Sequence, residues 1–337
     1  MTNKKKIFIY LLMLILLVIV MFLFSLMYGS SKISFVEILK IFFGSVDNNN
    51  EDIVVIIKQI RLPRTIMACI VGSGLAVSGC VFQAILKNPL ADPFTLGISG
   101  GAALGVAIAF VFGLSSITNF FIPFCAFVGM NISVIIVYLV SVRKKFVSKT
   151  MILSGVVVSY VFSSAVMLLF TLSPSNNVQT AFVWLMGDFS NFDERMLPFI
   201  TIVVSVGIII LSLLGNVINT VCLNDEKSKT FGINIEKNIT FLFFTASIIT
   251  AATVSVCGII GFVGLIIPHA MRKIVGTNNM FLIPASAFFG AFFLPLCDTL
   301  SRVLFSPVLI PIGVITNIIG GFFFVCLLLK SEGIHIK

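Results

Sequence analysis

Asn88-Pro89-Leu90-Ala91-Asp92-Pro93 is a polar interruption between two apolar stretches, with Gly97, Gly100 and Gly101 close behind it. Proline lacks the amide that a helix needs and restricts the residue before it, so two Asx-Pro steps four residues apart predict a helix stop. Within a bilayer, non-helical backbone is tolerated only where it is packed in protein or lines a water-filled cavity. If the flanking stretches cross a membrane, the break marks a path for a solute.

The flanks read as membrane helices. The chain has 337 residues, 58% of them hydrophobic and only 10% charged. About 20 apolar residues cross the hydrocarbon core. Ile7 to Met27 is such a run behind Lys4-Lys5-Lys6. A basic start before an apolar run also fits a signal peptide. This run is longer than a signal's apolar region, however, and Tyr28-Gly29-Ser30-Ser31 has no small-x-small cleavage site, so a retained helix is expected. Further runs lie near 65–86, 95–113, 119–141, 150–172, 196–217, 239–257, 258–270, 281–300 and 309–329, the 258–270 run being too short to cross alone.

The expectation is an all-α polytopic membrane protein of about ten helices, one transmembrane domain over 1–337. An even count puts both termini on one side, and the N-terminal lysines make that side cytoplasmic. On this topology 15 of the 22 basic residues fall inside. The seven outside are Lys32, Lys40, Lys58, Arg61, Arg64, Arg195 and Arg302.

Several function classes drop out. A net charge of +9 follows from orientation, and no soluble basic domain exists to bind nucleic acid. Seven cysteines are scattered in apolar context without metal-ligand spacing, so no metal is expected. There is no G-x-x-x-x-G-K-[ST] loop, only two histidines, and no catalytic triad pattern. The chain is not expected to be an enzyme, and any ATP-driven work falls to a partner.

Two polar regions stand out. The excursion at 222–238 contains Asp225, Glu226, Lys227, Ser228, Lys229 and Gly232, with acids first, lysines later and a glycine able to cap. It reads as a short amphipathic helix, with a second helix able to start at Ile233 to Lys237, and either docks a cytoplasmic protein or is a charged linker. On the other side, Arg61, Arg64 and Arg302 are three of only six arginines. Arginine forks onto carboxylates as lysine cannot, which suits docking; interfacial anchoring is the other reading. A faint repeat is also present: Gly79 precedes Pro89 by ten residues, and Gly258 precedes Pro268 by ten.

Taken together, Arg61-Leu62-Pro63-Arg64, Ser78-Gly79, Gln83, the break from Asn88 to Pro93 with Gly97, and Gly261-Phe262-Val263-Gly264-Leu265-Ile266-Ile267-Pro268-His269 closely resemble the FecCD transport family. These are permease subunits of importers for ferric siderophores, haem and vitamin B12. The resemblance runs from about residue 30 to the C-terminus. It implies ten membrane helices, pairing with a second permease (an identical copy or a sister subunit), two cytoplasmic ATPase subunits and an external substrate-binding protein. ATP and Mg are then used by the ATPase partner, and this chain binds no cofactor. The resemblance places coupling helices around 223–237. Arg61, Arg64 and Arg302 match positions that receive acidic residues of the binding protein. Asn88, Pro89 and Leu90 match a cytoplasmic gate loop, Ser148 and Lys149 lie near a second gate, and Pro268-His269 looks structural.

The chain departs from the family pattern in three places. Leu309-Ile310-Pro311-Ile312-Gly313 lacks a usual carboxylate, Asn278-Asn279-Met280 replaces an Asp-His-Arg, and Gly321 replaces a proline. The implied function is uptake of an iron chelate, a ferric siderophore first, across a bacterial cytoplasmic membrane, with haem and vitamin B12 as alternatives. The rival class is an ion-coupled secondary transporter, which would need ionisable residues at membrane depth. Asp298 is the plausible one here.

Overall fold

The computed structural model describes residues 3–29, 31–44, 51–114, 117–118, 120–173, 175–190, 192–222, 234–304, 306 and 308–331. Among these the secondary structure is helical, with no strand. In chain order the helices are α1 (Asn3–Met27), α2 (Phe35–Phe43), α3 (Glu51–Val55), α4 (Leu62–Ile85), α5 (Ile98–Val111), α6 (Phe121–Arg143), α7 (Ser148–Thr171) and α8 (Ser175–Leu185). They continue as α9 (Leu197–Leu213), α10 (Gly215–Cys222), α11 (Ile235–Cys257), α12 (Val263–Val275), α13 (Asn279–Val303) and α14 (Ile312–Ser331).

Every expected membrane segment has its helix, and seven of these helices are long and apolar enough to cross a bilayer unaided. The boundaries moved where polar sequence extends a helix. A π-turn over Ile56–Arg61 joins α3 to α4, so the second span begins near Asp52 rather than at 65. The 196–217 segment is two helices divided at Leu214. The second cytoplasmic helix expected from Ile233 is instead the start of α11, capped by the Asn234 side chain and running on to Cys257. Between α1 and α3, α2 begins in a reciprocal capping box between Ser34 and Glu37 and ends on left-handed Gly44.

At the centre lies α4, the most deeply buried span, in contact with α9, α11, α12 and α13. Small residues permit this crowding. A Cβ on Gly72 would strike the Gly290 carbonyl of α13, so the two backbones cross in direct contact. By contrast α1 and α7 are little buried, and their apolar faces point outward.

Candidate functional site

The expected break is present. Helix α4 ends at Ile85, Lys87 takes a left-handed conformation, and the Asn88 side chain accepts the Leu90 amide at 3.0 Å. The chain restarts as a short 3-10 turn over Pro93–Leu96, where the Asp92 carboxylate accepts the Phe94 amide at 3.0 Å. Left-handed Gly97 then starts α5. Pro89 and Leu90 are exposed, whereas Ala91, Asp92 and Pro93 are buried. The loop thus leaves its first half exposed and plugs its second half into the fold. Asp92 is a second buried acid that the sequence reading passed over.

A second break exists, but not at Pro268. The chain is non-helical over 258–262, between left-handed Gly258 and left-handed Phe262, and Pro268 sits inside α12. The proline-based repeat is therefore corrected: the second interruption comes six residues or more before that proline. Pro268 has no N–H for the carbonyl of residue 264, four back in the helix. That carbonyl is taken by Gln83, whose Nε2 donates to Gly264 at 3.2 Å and to Leu265 at 3.3 Å. The same Gly264 backbone lies where a Cβ on Gly79 would fall, and a Cβ on Gly264 would meet the Pro93 ring at 2.9 Å. Thus α4, the first break and the second broken helix converge at one point. Gln83→Leu, which strips that carbonyl of its donor in a buried site, is expected to cost about 1–3 kcal/mol of stability. Thermal unfolding of the purified chain checks this.

The arginine trio is placed differently from expectation. Arg61, Arg64 and Arg302 are only 4%, 5% and 6% exposed. Arg64 straddles Asp298, with Nε and Nη2 each 2.8 Å from Oδ1, and its Nη1 donates to Ser190 at 2.7 Å. Asp188 stands farther off, at 3.9 Å from Arg64. Arg302 Nε lies 3.0 Å from Asp298 Oδ2, an ion pair by distance without hydrogen-bond alignment. Its Nη2 donates to the Ser25 hydroxyl at 2.8 Å, and its Nη1 to the Tyr28 carbonyl at 3.2 Å. Arg61 donates to the carbonyls of Leu26, Met27 and Ser31.

Two of the guanidiniums thereby cap the free carbonyls at the end of α1, where a helix terminus wants positive charge. These arginines bolt a lightly buried helix to the core. They also line, with Gly29, Ile56, Ile60 and Leu309, a cavity of about 160 Å³. Of the four arginines expected on the outer side, Arg195 is the exposed one, its side chain 93% accessible.

At the other end of α4, Gln83, Asn88 and Pro89 line a polar cavity of about 520 Å³ together with Asn219, Cys222 and Arg272. Asn219 bridges Asn278 and Asn279, accepting the Asn279 amide at 2.9 Å and donating to Asn278 at 2.9 Å. Asn278 itself caps α13. The departure at 278–279 is therefore a self-consistent asparagine network that ties α10 to α13. Ser148 and Lys149 open α7, and among the described residues no hydrogen bond joins them to the gate loop. Asp225, Glu226, Lys227, Ser228, Lys229 and Gly232, expected to couple to an ATPase, lie outside the described residues. His269, in the middle of α12, has no partner at Nε2 among the described residues.

Comparison with known proteins gives a consistent picture. The chain is 32% identical over 92% of its length to the iron(3+)-hydroxamate import permease FhuG of Bacillus subtilis, covering 94% of that protein. It is 36% identical over 82% of its length to the cobalamin import permease BtuC of Halobacterium salinarum, covering 74% of it. A solved structure, described as a metal-chelate type ABC transporter in an inward-facing conformation, superposes with a TM-score of 0.84 at 30% identity, covering 98% of this chain and all of that one. With the family's profile matched over residues 16–330, the chain belongs to the FecCD transport family.

Proposed function

We propose that this chain is the transmembrane permease that carries a ferric siderophore through a bacterial cytoplasmic membrane, both termini inside. ATP and Mg act on two separate ATPase subunits, and an external binding protein supplies the cargo. The observation that carries this reading is the shared cavity at the inner end of α4. Asn88 and Pro89 line the same space as Asn219 and Cys222 of α10, and in sequence the expected coupling segment follows that helix. A push on that segment from an ATPase then bears on the gate without a long relay. Energy enters only as differential affinity for the inward- and outward-open states. Ser148 and Lys149 serve as the second gate.

The outer arginines fit docking in a narrower sense than exposed forks would. Arg64 and Arg302 share one close carboxylate, Asp298, Arg64 has a more distant one in Asp188, and Arg61 is held by backbone carbonyls. The excess positive charge lines the outer cavity, where an acidic side chain of the binding protein would complete the cluster. Such pairs chiefly fix orientation and association rate. The remaining partners are a second permease subunit and membrane lipid, with no nucleic acid.

Ion coupling loses support at Asp298, the acid that sequence pointed to, because two arginines hold it. The cargo is tested by offering ferric hydroxamate, haem and cobalamin separately to vesicles that contain the assembled importer. Uptake of the ferric chelate alone is expected. Uptake of haem or cobalamin instead would replace the cargo and leave the permease role standing.

A further inference from the structure

Arg61, Arg64 and Arg302 carry more positive charge than their surroundings return. Asp298 is fully buried and lies 2.8 Å from Arg64 and 3.0 Å from Arg302. Asp188 adds a second carboxylate, 3.9 Å from Arg64. Arg61 has no acid among the described residues: its Nη1 and Nη2 donate to the carbonyls of Leu26, Met27 and Ser31 and to the Ser31 hydroxyl. Those carbonyls are dipoles, and a helix end is equivalent to only about half a negative charge. Three guanidiniums, none more than 6% exposed, therefore face two carboxylates, and one unit of positive charge is only partly offset.

Burying an ion without a counter-ion is expensive, so this excess favours an anion. There is room for one. The cavity of about 160 Å³ has all three arginines in its wall, and the rest of that wall is Gly29 and the aliphatic side chains of Ile56, Ile60 and Leu309. Among the described residues no acid lines it. Two of the lining residues also have a donor to spare. Arg302 Nε is buried with no hydrogen-bond acceptor among the described residues, and Arg61 donates there through its Nη atoms alone. Arg61 and Arg302 close on one point, since a Cβ on Gly29 would fall 2.9 Å from Arg61 Nη2 and 3.3 Å from Arg302 Nη1. We infer that this cavity binds one chloride ion, held by Arg61 and Arg302 beside the pair of Arg64 and Asp298. A monovalent ion matches the single excess charge, whereas phosphate or sulfate would overshoot it. Chloride is also less strongly hydrated than either, which suits aliphatic walls. It would occupy the place proposed above for an acidic side chain of the binding protein, so docking would exchange one anion for the other. That link rests on the docking proposal; the site itself rests on the charges and the cavity.

The purified chain in detergent, with no binding protein present, is titrated with sodium chloride replacing sodium gluconate at constant ionic strength. A ligand that binds only the folded state raises the unfolding temperature as its concentration passes the dissociation constant. A rise of several degrees is expected on going from gluconate to chloride, and bromide is expected to reproduce it. Leu309→Glu sets a tethered carboxylate at the cavity wall, on a half-exposed residue. That variant is expected to keep the raised unfolding temperature in gluconate and to lose the response to chloride. Arg61→Gln, which removes the excess charge, is expected to lose the response as well. A flat titration of the unsubstituted chain overturns the assignment and leaves docking untouched, because no binding protein takes part. A rise that Leu309→Glu retains in full also overturns it, because the ion would then sit elsewhere.

Discussion

Asp298→Ala is expected to destabilise the protein by about 3–5 kcal/mol, because it leaves two buried cations without their carboxylate. Arg64 and Arg302 are 5% and 6% exposed, and both point at this one fully buried acid. Their other partners are hydroxyls and carbonyls, which soften the loss without neutralising the charge. Set against a total stability of about 5–15 kcal/mol, that is a large fraction. Chemical denaturation in detergent reads it, with a second arm that separates charge from packing. Adding Arg302→Met to Asp298→Ala removes one of the stranded charges and should recover part of the loss. If the double substitution is as unstable as the sum of the single ones, the cluster is not held together by charge.

Gly79→Leu carries the second large effect. The new Cβ would meet the Gly264 backbone carbonyl, which cannot swing aside as a side-chain end could. Overpacking in a dense core costs about 1–3 kcal/mol even where side chains adjust. Here α4 and α12 must part, and with them the contact between Gly264 and Pro93 that seats the loop proposed as a gate. Loss of uptake beyond the loss of folded protein is therefore expected. Gly321→Ala is the control, because among the described residues nothing lies within 4 Å of the position a Cβ would take there. Equal uptake by the two variants, normalised to folded protein, would remove the convergence point from the mechanism.

The arginine cluster also changes how docking is to be tested. Reversing Arg61 and Arg64 to glutamate is attractive on sequence grounds. In the folded protein, though, a glutamate at 64 would sit against Asp298 and strand Arg302's partner in a like-charge pair. Lost docking would then report lost structure. Conservative Arg→Lys changes, scored for binding and for unfolding together, separate the two.

Much of the architecture was legible because membrane helices announce themselves by length and hydropathy, and Asx-Pro steps announce a break. Each expected segment carries a helix, and the break from Asn88 to Pro93 lies where the prolines put it. What was illegible has identifiable causes. An arginine at an outer helix end looks the same in sequence whether it meets water or an acid 234 residues away, as Arg64 does. The second interruption is turned by Phe262 at a φ of 67°, a conformation that its residue type does not advertise. Pro268 drew attention instead, although Gln83 from another helix supplies the hydrogen bond that the proline gave up.

The most direct test of the central claim asks what drives uptake. Labelled ferric hydroxamate is offered to inverted-free vesicles that contain this chain with its ATPase and binding protein, with ion gradients collapsed by ionophores and ATP supplied or withheld inside. The account predicts uptake that survives the ionophores and vanishes without ATP. Uptake that persists without ATP and is abolished by the ionophores would contradict it, and would make this chain a gradient-driven carrier.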